Sequence, residues 1–173
     1  MSGRAGVLVK ALLVCGAVLA LDQLGKALVR GNIERGKTVE LLPFLDLANT
    51  RNRGIAFGLA GEVPPLVTAV AIGFLVGLLV FLSLREHADP LVWLPAGLLV
   101  GGALGNLIDR VREGAVTDFI DFPYWPTFNF ADMAITVGVV LLVLLPEISH
   151  RRERRAGKEP GAAPGGGGAG DGS

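Results

Sequence analysis

Charge is scarce in this chain. Only 18% of its 173 residues are Asp, Glu, Lys or Arg, against about 25% in a typical soluble domain. The charges also balance, with 16 basic and 16 acidic residues. Phosphate binding needs a basic excess, so nucleic acid is excluded as a partner. A single cysteine, Cys15, excludes an internal disulfide. His87 and His150 are the two histidines, and they lie far apart. No zinc-ligand cluster can be assembled from these residues, and neither a metal nor another cofactor is expected.

What is abundant is apolar surface, at 51% hydrophobic residues. The length suits one domain. Four apolar stretches predict an α-helical integral membrane protein with four transmembrane helices. They lie at about 7–29, 63–84, 91–108 and 130–148. A span needs roughly 20 mostly apolar residues. The second and third carry no charge. The first holds Lys10, Asp22 and Lys26, which fit if they lie near the two interfaces. The fourth reaches spanning length only by taking in Phe130, Ala131 and Asp132 at its start and Ile148 at its end. Asp132 is thereby expected in the first helical turn.

Residues 1–150 form the expected membrane domain, and 151–173 a basic, then Gly-rich, disordered tail. Arg4 and Lys10 before an apolar run imitate a secretory signal, and Val18-Leu19-Ala20 a cleavage site, but the residues that follow continue the first span. Arg151, Arg152, Arg154 and Arg155 abut the fourth span. That density places both termini in the cytoplasm, although the overall Lys and Arg count scarcely separates the two sides.

Residues 31–62 are too polar to span. Residues 39–47 read as short strands interrupted at Pro43. The loop 110–129 carries Tyr124-Trp125-Pro126, which suits a membrane interface. Gly73 and Gly77, and Gly101 and Gly105, have the GxxxG spacing of close helix contacts.

Ionisable groups near a membrane mark function by default. Asp22, Asp109, Asp118, Asp121 and Asp132 all fall toward the non-cytoplasmic ends of spans or between them. Asp22 and Lys26 are i,i+4 on one helical face and read first as a structural ion pair. Asp109 reads as a local cap or ion-pair partner. Two carboxylates about 3 Å apart can share one proton and so supply both acid and base for hydrolysis. Spacing alone does not say which two aspartates meet.

The motifs do more. Asp22-Gln23-Leu24-Gly25-Lys26 is followed by Asn52-Arg53-Gly54-Ile55-Ala56-Phe57-Gly58. Then come Gly101-Gly102-Ala103-Leu104-Gly105-Asn106-Leu107-Ile108-Asp109-Arg110 and Val116-Thr117-Asp118-Phe119-Ile120-Asp121-Phe122. Phe128-Asn129-Phe130-Ala131-Asp132, with Ile135-Thr136-Val137-Gly138, closes the series. In this order they resemble the lipoprotein signal peptidase (signal peptidase II) family over about residues 7–150. Thr117 departs from the pattern, since Val is more usual there.

The resemblance implies a bacterial inner-membrane aspartic endopeptidase. It would remove signal peptides from prolipoproteins, cutting N-terminal to the diacylglyceryl-modified cysteine. Asp118 and Asp132 fall on the catalytic positions. Asn52, Gly54, Asn106, Arg110, Asn129, Asp22 and Lys26 fall on motif positions that bind substrate or support the dyad. A small extracytoplasmic β-structure and a short interfacial helix are implied for the first long loop. The site would lie near the extracytoplasmic face. Expected partners are diacylglyceryl-prolipoproteins, membrane lipids and globomycin-type inhibitors.

Two rival classes make different demands. A transporter would place charge near the midplane, yet the second and third spans carry none. A non-catalytic scaffold would leave the Asn, Asp and Arg clustering unexplained and would tolerate Asp→Asn changes.

Overall fold

A computed structural model describes residues 3–53 and 91–156, together with positions 69, 72, 73, 76 and 77. The expected second span, the interfacial helix, Gly54 and the tail beyond residue 156 fall wholly or largely outside the described residues.

The first helix, α1, runs Gly3–Asn32. It contains no proline, and Arg30 lies in its last turn, where a cation complements the helix dipole. Its apolar part, Ala5–Asn32, has 28 residues. At 1.5 Å per residue that is about 42 Å, more than the ~30 Å of a bilayer's hydrocarbon core. The strands β1 (Thr38–Leu42) and β2 (Leu45–Asn52) form a hairpin that turns at Pro43-Phe44. The helix α2 spans Trp93–Glu113, β3 spans Val116–Asp121, and α3 spans Phe130–Ala156. The three strands make an antiparallel sheet in the order β1-β2-β3.

The hairpin agrees with the strand reading of the first loop. β3 does not follow from it, because residues 110–129 read as a loop. Two aspartates in a six-residue strand depress its β-propensity, and pairing with β2 overrides that. α2 also runs five residues past the expected 108. It stops at Gly114, whose left-handed φ of 68° lets its N–H reach the Arg110 carbonyl.

The burial pattern is inverted relative to a soluble domain. Leu8, Leu12, Leu13, Leu21, Leu24 and Leu28 of α1 are all at least 55% exposed. Asp22, Lys26, Asn106, Asp109, Thr117, Asp118 and Asn129 are buried. In water this distribution would be unstable. In lipid it is the arrangement a membrane protein needs, with apolar side chains outward and polar groups satisfied within.

Glycines let the helices close on one another. A Cβ on Gly97 or Gly101 of α2 would come within 2.6 or 2.9 Å of the Ala11 or Cys15 carbonyl oxygen of α1. One on Gly102 would come within 2.5 Å of the Ala131 carbonyl oxygen of α3. The Gly101 and Gly105 pair is thus a true helix contact. Gly73 and Gly77 meet nothing within 4 Å among the described residues. At Gly25 a Cβ would lie 2.9 Å from Phe119 Cζ. The missing side chain seats the Phe119 ring of β3, which packs edge-on to Phe130 at 5.1 Å.

Gly105 is the position nearest the polar interior. A Cβ there would sit 2.6 Å from Asp22 Oδ2. Gly105→Ala should therefore cost about 1–3 kcal/mol by overpacking. Thermal denaturation of the purified protein in detergent checks this, and an unchanged midpoint would refute it.

Candidate active site

Asp118 and Asp132 come from different elements, β3 and the first turn of α3. Two asparagines join them. Asn129 Nδ2 donates to Asp118 Oδ1 at 2.6 Å and to Asn106 Oδ1 at 3.2 Å. Asn106 Nδ2 donates to Asp132 Oδ1 at 2.7 Å. Asn52, at the end of β2, donates to Asp118 Oδ2 at 2.9 Å. The sheet register explains this reach, because Asn52 pairs with Val116, two residues from Asp118 on the same strand face.

The start of α3 is capped reciprocally. Asp132 N–H donates to Asn129 Oδ1 at 3.0 Å, and Asn129 N–H donates to Asp132 Oδ2 at 3.3 Å. This is the logic of a capping box, with Asn at the cap and Asp three residues later. A second cap comes from another helix: Ala131 N–H donates to Asp22 Oδ1 at 3.0 Å. Asp22 is therefore more than half of an ion pair, because it anchors the turn that carries Asp132.

Behind the asparagines lies a buried charge cluster. The Lys26 ammonium contacts Asp22 at 2.8 Å and Asp109 at 3.4 Å, and donates to Asn106 Oδ1 at 2.9 Å. Lys26 and Asp22 have no exposed side-chain surface. Asp109 is not a local cap. It accepts from Thr117 N–H at 2.9 Å and from Gln23 at 3.3 Å, and meets Arg30 at 3.4 Å. The Thr117 hydroxyl accepts from Arg30 at 3.1 Å and from Arg51 at 2.9 Å. The residue that departs from the motif thus ties β3 to α1 and β2.

The motif residues Asp22, Lys26, Asn52, Asn106, Asn129, Asp118 and Asp132 come together. Arg110 follows them less closely. Its Nη1 donates to the Asn106 carbonyl at 3.4 Å, and its charge acts on both Asp132 and Asp118. Asp121 stands apart, opposite Asp46 at the other end of β3. Gly54 lies outside the described residues. The sequence reading missed Gln23, Arg30 and Arg51. Arg30 carried a signal, since it stands one further i+4 step beyond Asp22 and Lys26.

A groove of about 480 Å³ opens beside Asp132. Trp125, Phe128, Met133 and Val137 line it with apolar surface. Asp118 is 2% exposed. Burial raises its pKa to about 6 and the negative charge of Asp132 adds to the rise, while hydrogen bonds from Asn52 and Asn129 and the Lys26 charge oppose it.

A carboxyl raised from 3.8 to about 6 binds its proton more tightly folded than unfolded. Folding is therefore penalised as pH rises through that window, by up to roughly 3 kcal/mol above it. Asp118→Asn removes the penalty. The variant should be the more stable protein at pH 8, with the difference shrinking below pH 6 and vanishing by about pH 4. Denaturation midpoints measured across this range test the sign. A variant less stable at pH 8 would refute it.

An apolar helical bundle with a buried polar network, and with an aspartate at a groove joined through two amides to a second, buried aspartate, has the architecture of a membrane enzyme. The comparisons narrow the class. Residues 14–146 match the sequence model of the family described as signal peptidase (SPase) II. A lipoprotein signal peptidase from Moorella thermoacetica is 40% identical over 148 residues, covering 82% of this chain and 97% of that one. One from Desulfitobacterium hafniense is 41% identical over 142 residues, covering 81% and 94%. A bacterial membrane enzyme solved by the in meso method at 1.9 Å superposes with a TM-score of 0.71 and 32% identity, covering 78% of this chain and 90% of that one. The chain belongs to the signal peptidase II family, the bacterial membrane proteases of lipoprotein processing.

Proposed function

We propose that this protein is an aspartic endopeptidase that cuts prolipoproteins on the N-terminal side of the diacylglyceryl-modified cysteine. Asp118 and Asp132 are its catalytic pair. The observation that carries this reading is the junction of the two carboxylates through Asn129 and Asn106, beside an apolar groove. One carboxylate takes a proton from water while the other gives one to the scissile carbonyl. Asn52, Asn106 and Asn129 hold the pair, Asp22 and Lys26 support it from behind, and Arg110 and Gly54 complete the site. No cofactor enters the reaction.

The four-span arrangement belongs to the same proposal, with both termini in the cytoplasm and the strands on the opposite side of the inner membrane. It puts the exposed Tyr124 and Trp125 among the headgroups and the groove at the interface. A lipid-modified, apolar signal peptide reaches such a groove by lateral movement in the bilayer. Globomycin-type cyclic peptides should compete for it.

The test is to map the product. Purified enzyme should cut a diacylglyceryl-modified prolipoprotein to leave the modified cysteine as the new N-terminus, and mass spectrometry reads that end directly. An uncut substrate, or a cut elsewhere, would overturn the reading. A globomycin-type inhibitor should stop the reaction.

A further inference from the structure

A dyad that shares one proton needs its two members told apart, and the donors around this one do so. Lys26 is fully buried, and an ammonium has only hydrogens to offer. Its hydrogen bond to Asn106 Oδ1 therefore fixes that amide. The oxygen faces Lys26 and Asn129 Nδ2, both donors. The NH2 must then face Asp132, where it donates at 2.7 Å. Turned over, the amide would set its own hydrogens against two other donors. An orientation that is ordinarily ambiguous is set here by chemistry.

Asp132 has other positive partners. It accepts a second N–H from Asn129, and it lies in the first turn of α3, where the helix N-terminus attracts negative charge. It is half-buried and lines the groove, so water reaches it. Asp118 sits within β3 at 2% exposure. Burial outweighs both its two amide bonds and the direct pull of the Lys26 charge, and favours the neutral form. A substrate filling the groove would exclude more water and favour that form further. Arg110 acts on both carboxylates, and on Asp132 more than on Asp118.

Resting on the dyad reading above, we propose that Lys26 is a positioning residue that acts through Asn106 to hold Asp132 as the ionised member, leaving Asp118 as the proton donor. The water oxygen bonds to the scissile carbonyl carbon as Asp132 takes the water's proton and Asp118 protonates the carbonyl oxygen. The C–N bond then breaks. The nitrogen leaves with the proton held by Asp132, and a hydroxyl proton of the diol returns to Asp118. The pair ends as it began, and water is the only co-reactant.

The probe is a substrate peptide with a hydroxyethylene group in place of the scissile bond, so that its hydroxyl occupies the position of the attacking water. Asp118→Asn should bind it within about tenfold of the natural protein, because an amide still donates. Asp132→Asn should bind about 100-fold more weakly, through loss of a charge-assisted hydrogen bond. Lys26→Met alone should lower kcat by about tenfold or more while KM stays within about twofold. In the Lys26→Met background the gap between the two Asp→Asn variants should close to about threefold or less. A merely structural Lys26 would lower the active fraction and leave kcat per active site, and the gap, in place.

Should Lys26→Met fail to fold, Asn106→Leu serves instead. It is close to Asn in size, has no hydrogen for Asp132 and adds no second carboxyl beside it, so it should close the gap in the same way. Equal losses in the two single variants, or a larger loss for Asp118→Asn, would overturn the assignment. A gap unchanged by Lys26→Met or by Asn106→Leu would overturn the role given to Lys26. Cleavage of real substrate by either Asp→Asn variant is a separate outcome and would sink the dyad itself.

Discussion

Asp132→Asn is expected to lower turnover of a diacylglyceryl-modified prolipoprotein by about 10³-fold or more, the scale of losing a positioned acid–base group together with its partner's function. Asp118→Asn should do the same, because in the proposed dyad the two work as one unit and either loss removes the shared proton. The change is nearly isosteric. The amide at 132 still accepts from Asn106 Nδ2, and the amide at 118 from Asn129 Nδ2, so both proteins should accumulate in the membrane. A gel-shift assay of natural and variant enzymes side by side reads the result. Near-normal cutting by either variant would mean that another carboxylate carries the chemistry. Asp109 is poorly suited to that role, since Lys26, Arg30 and Thr117 N–H already engage it.

The second large effect concerns stability. Asp22→Ala should cost about 3–5 kcal/mol, the scale of breaking a buried ion pair by removing one partner. The Lys26 ammonium, which has no exposed side-chain surface, would lose its 2.8 Å contact. The Ala131 N–H would lose its acceptor, and the first turn of α3 with it. Asp22→Asn should cost less, because an amide oxygen can still accept one of these bonds. Thermal denaturation in detergent would show the order Asp22→Ala below Asp22→Asn below the natural protein. If alanine were tolerated as well as asparagine, Asp22 would have no structural part in the site. Activity should fall along with stability, since the turn that loosens carries Asp132.

Much of this was legible beforehand, for reasons particular to each element. The apolar run of α1 is long and lacks proline, and that of α3 meets its only proline at Pro146, so helix was the economical reading. In lipid a helix satisfies its own backbone, which ties hydropathy closely to structure. Asp132 fell in the first turn of its helix as expected, because the apolar run could reach spanning length only by including it. The hairpin was announced by Pro43 between two β-rich runs. β3 was not announced, since its two aspartates argue against a strand and only pairing with β2 stabilises one.

Polar roles were the least legible. Asp109 looked like a local partner of its neighbours. It is instead the acceptor at which Lys26, Arg30, Gln23 and the Thr117 backbone converge. Thr117 looked like a small departure from a motif, yet its hydroxyl accepts from two arginines that lie 21 positions apart in the chain. Gln23 was visible only as a member of the first motif, with nothing to mark its role. All these contacts but the Thr117 backbone bond join residues 66 to 87 positions apart, and nothing local in a sequence records them.

The sequence by itself determined the solvent, the class of catalyst and the order of the motifs. Composition and apolar run length follow from the energetics of burying chain in lipid, and those act segment by segment. Only the tertiary structure decided through which amides Asp118 and Asp132 are joined, and with what behind them. Hydrogen bonds and ion pairs depend on distances of a few ångströms between separate elements. Those distances are set by how closely α1, α2 and α3 approach across Gly97, Gly101, Gly102 and Gly105. Moving those helices apart by the width of a methyl group would leave the motifs unchanged and the site unmade.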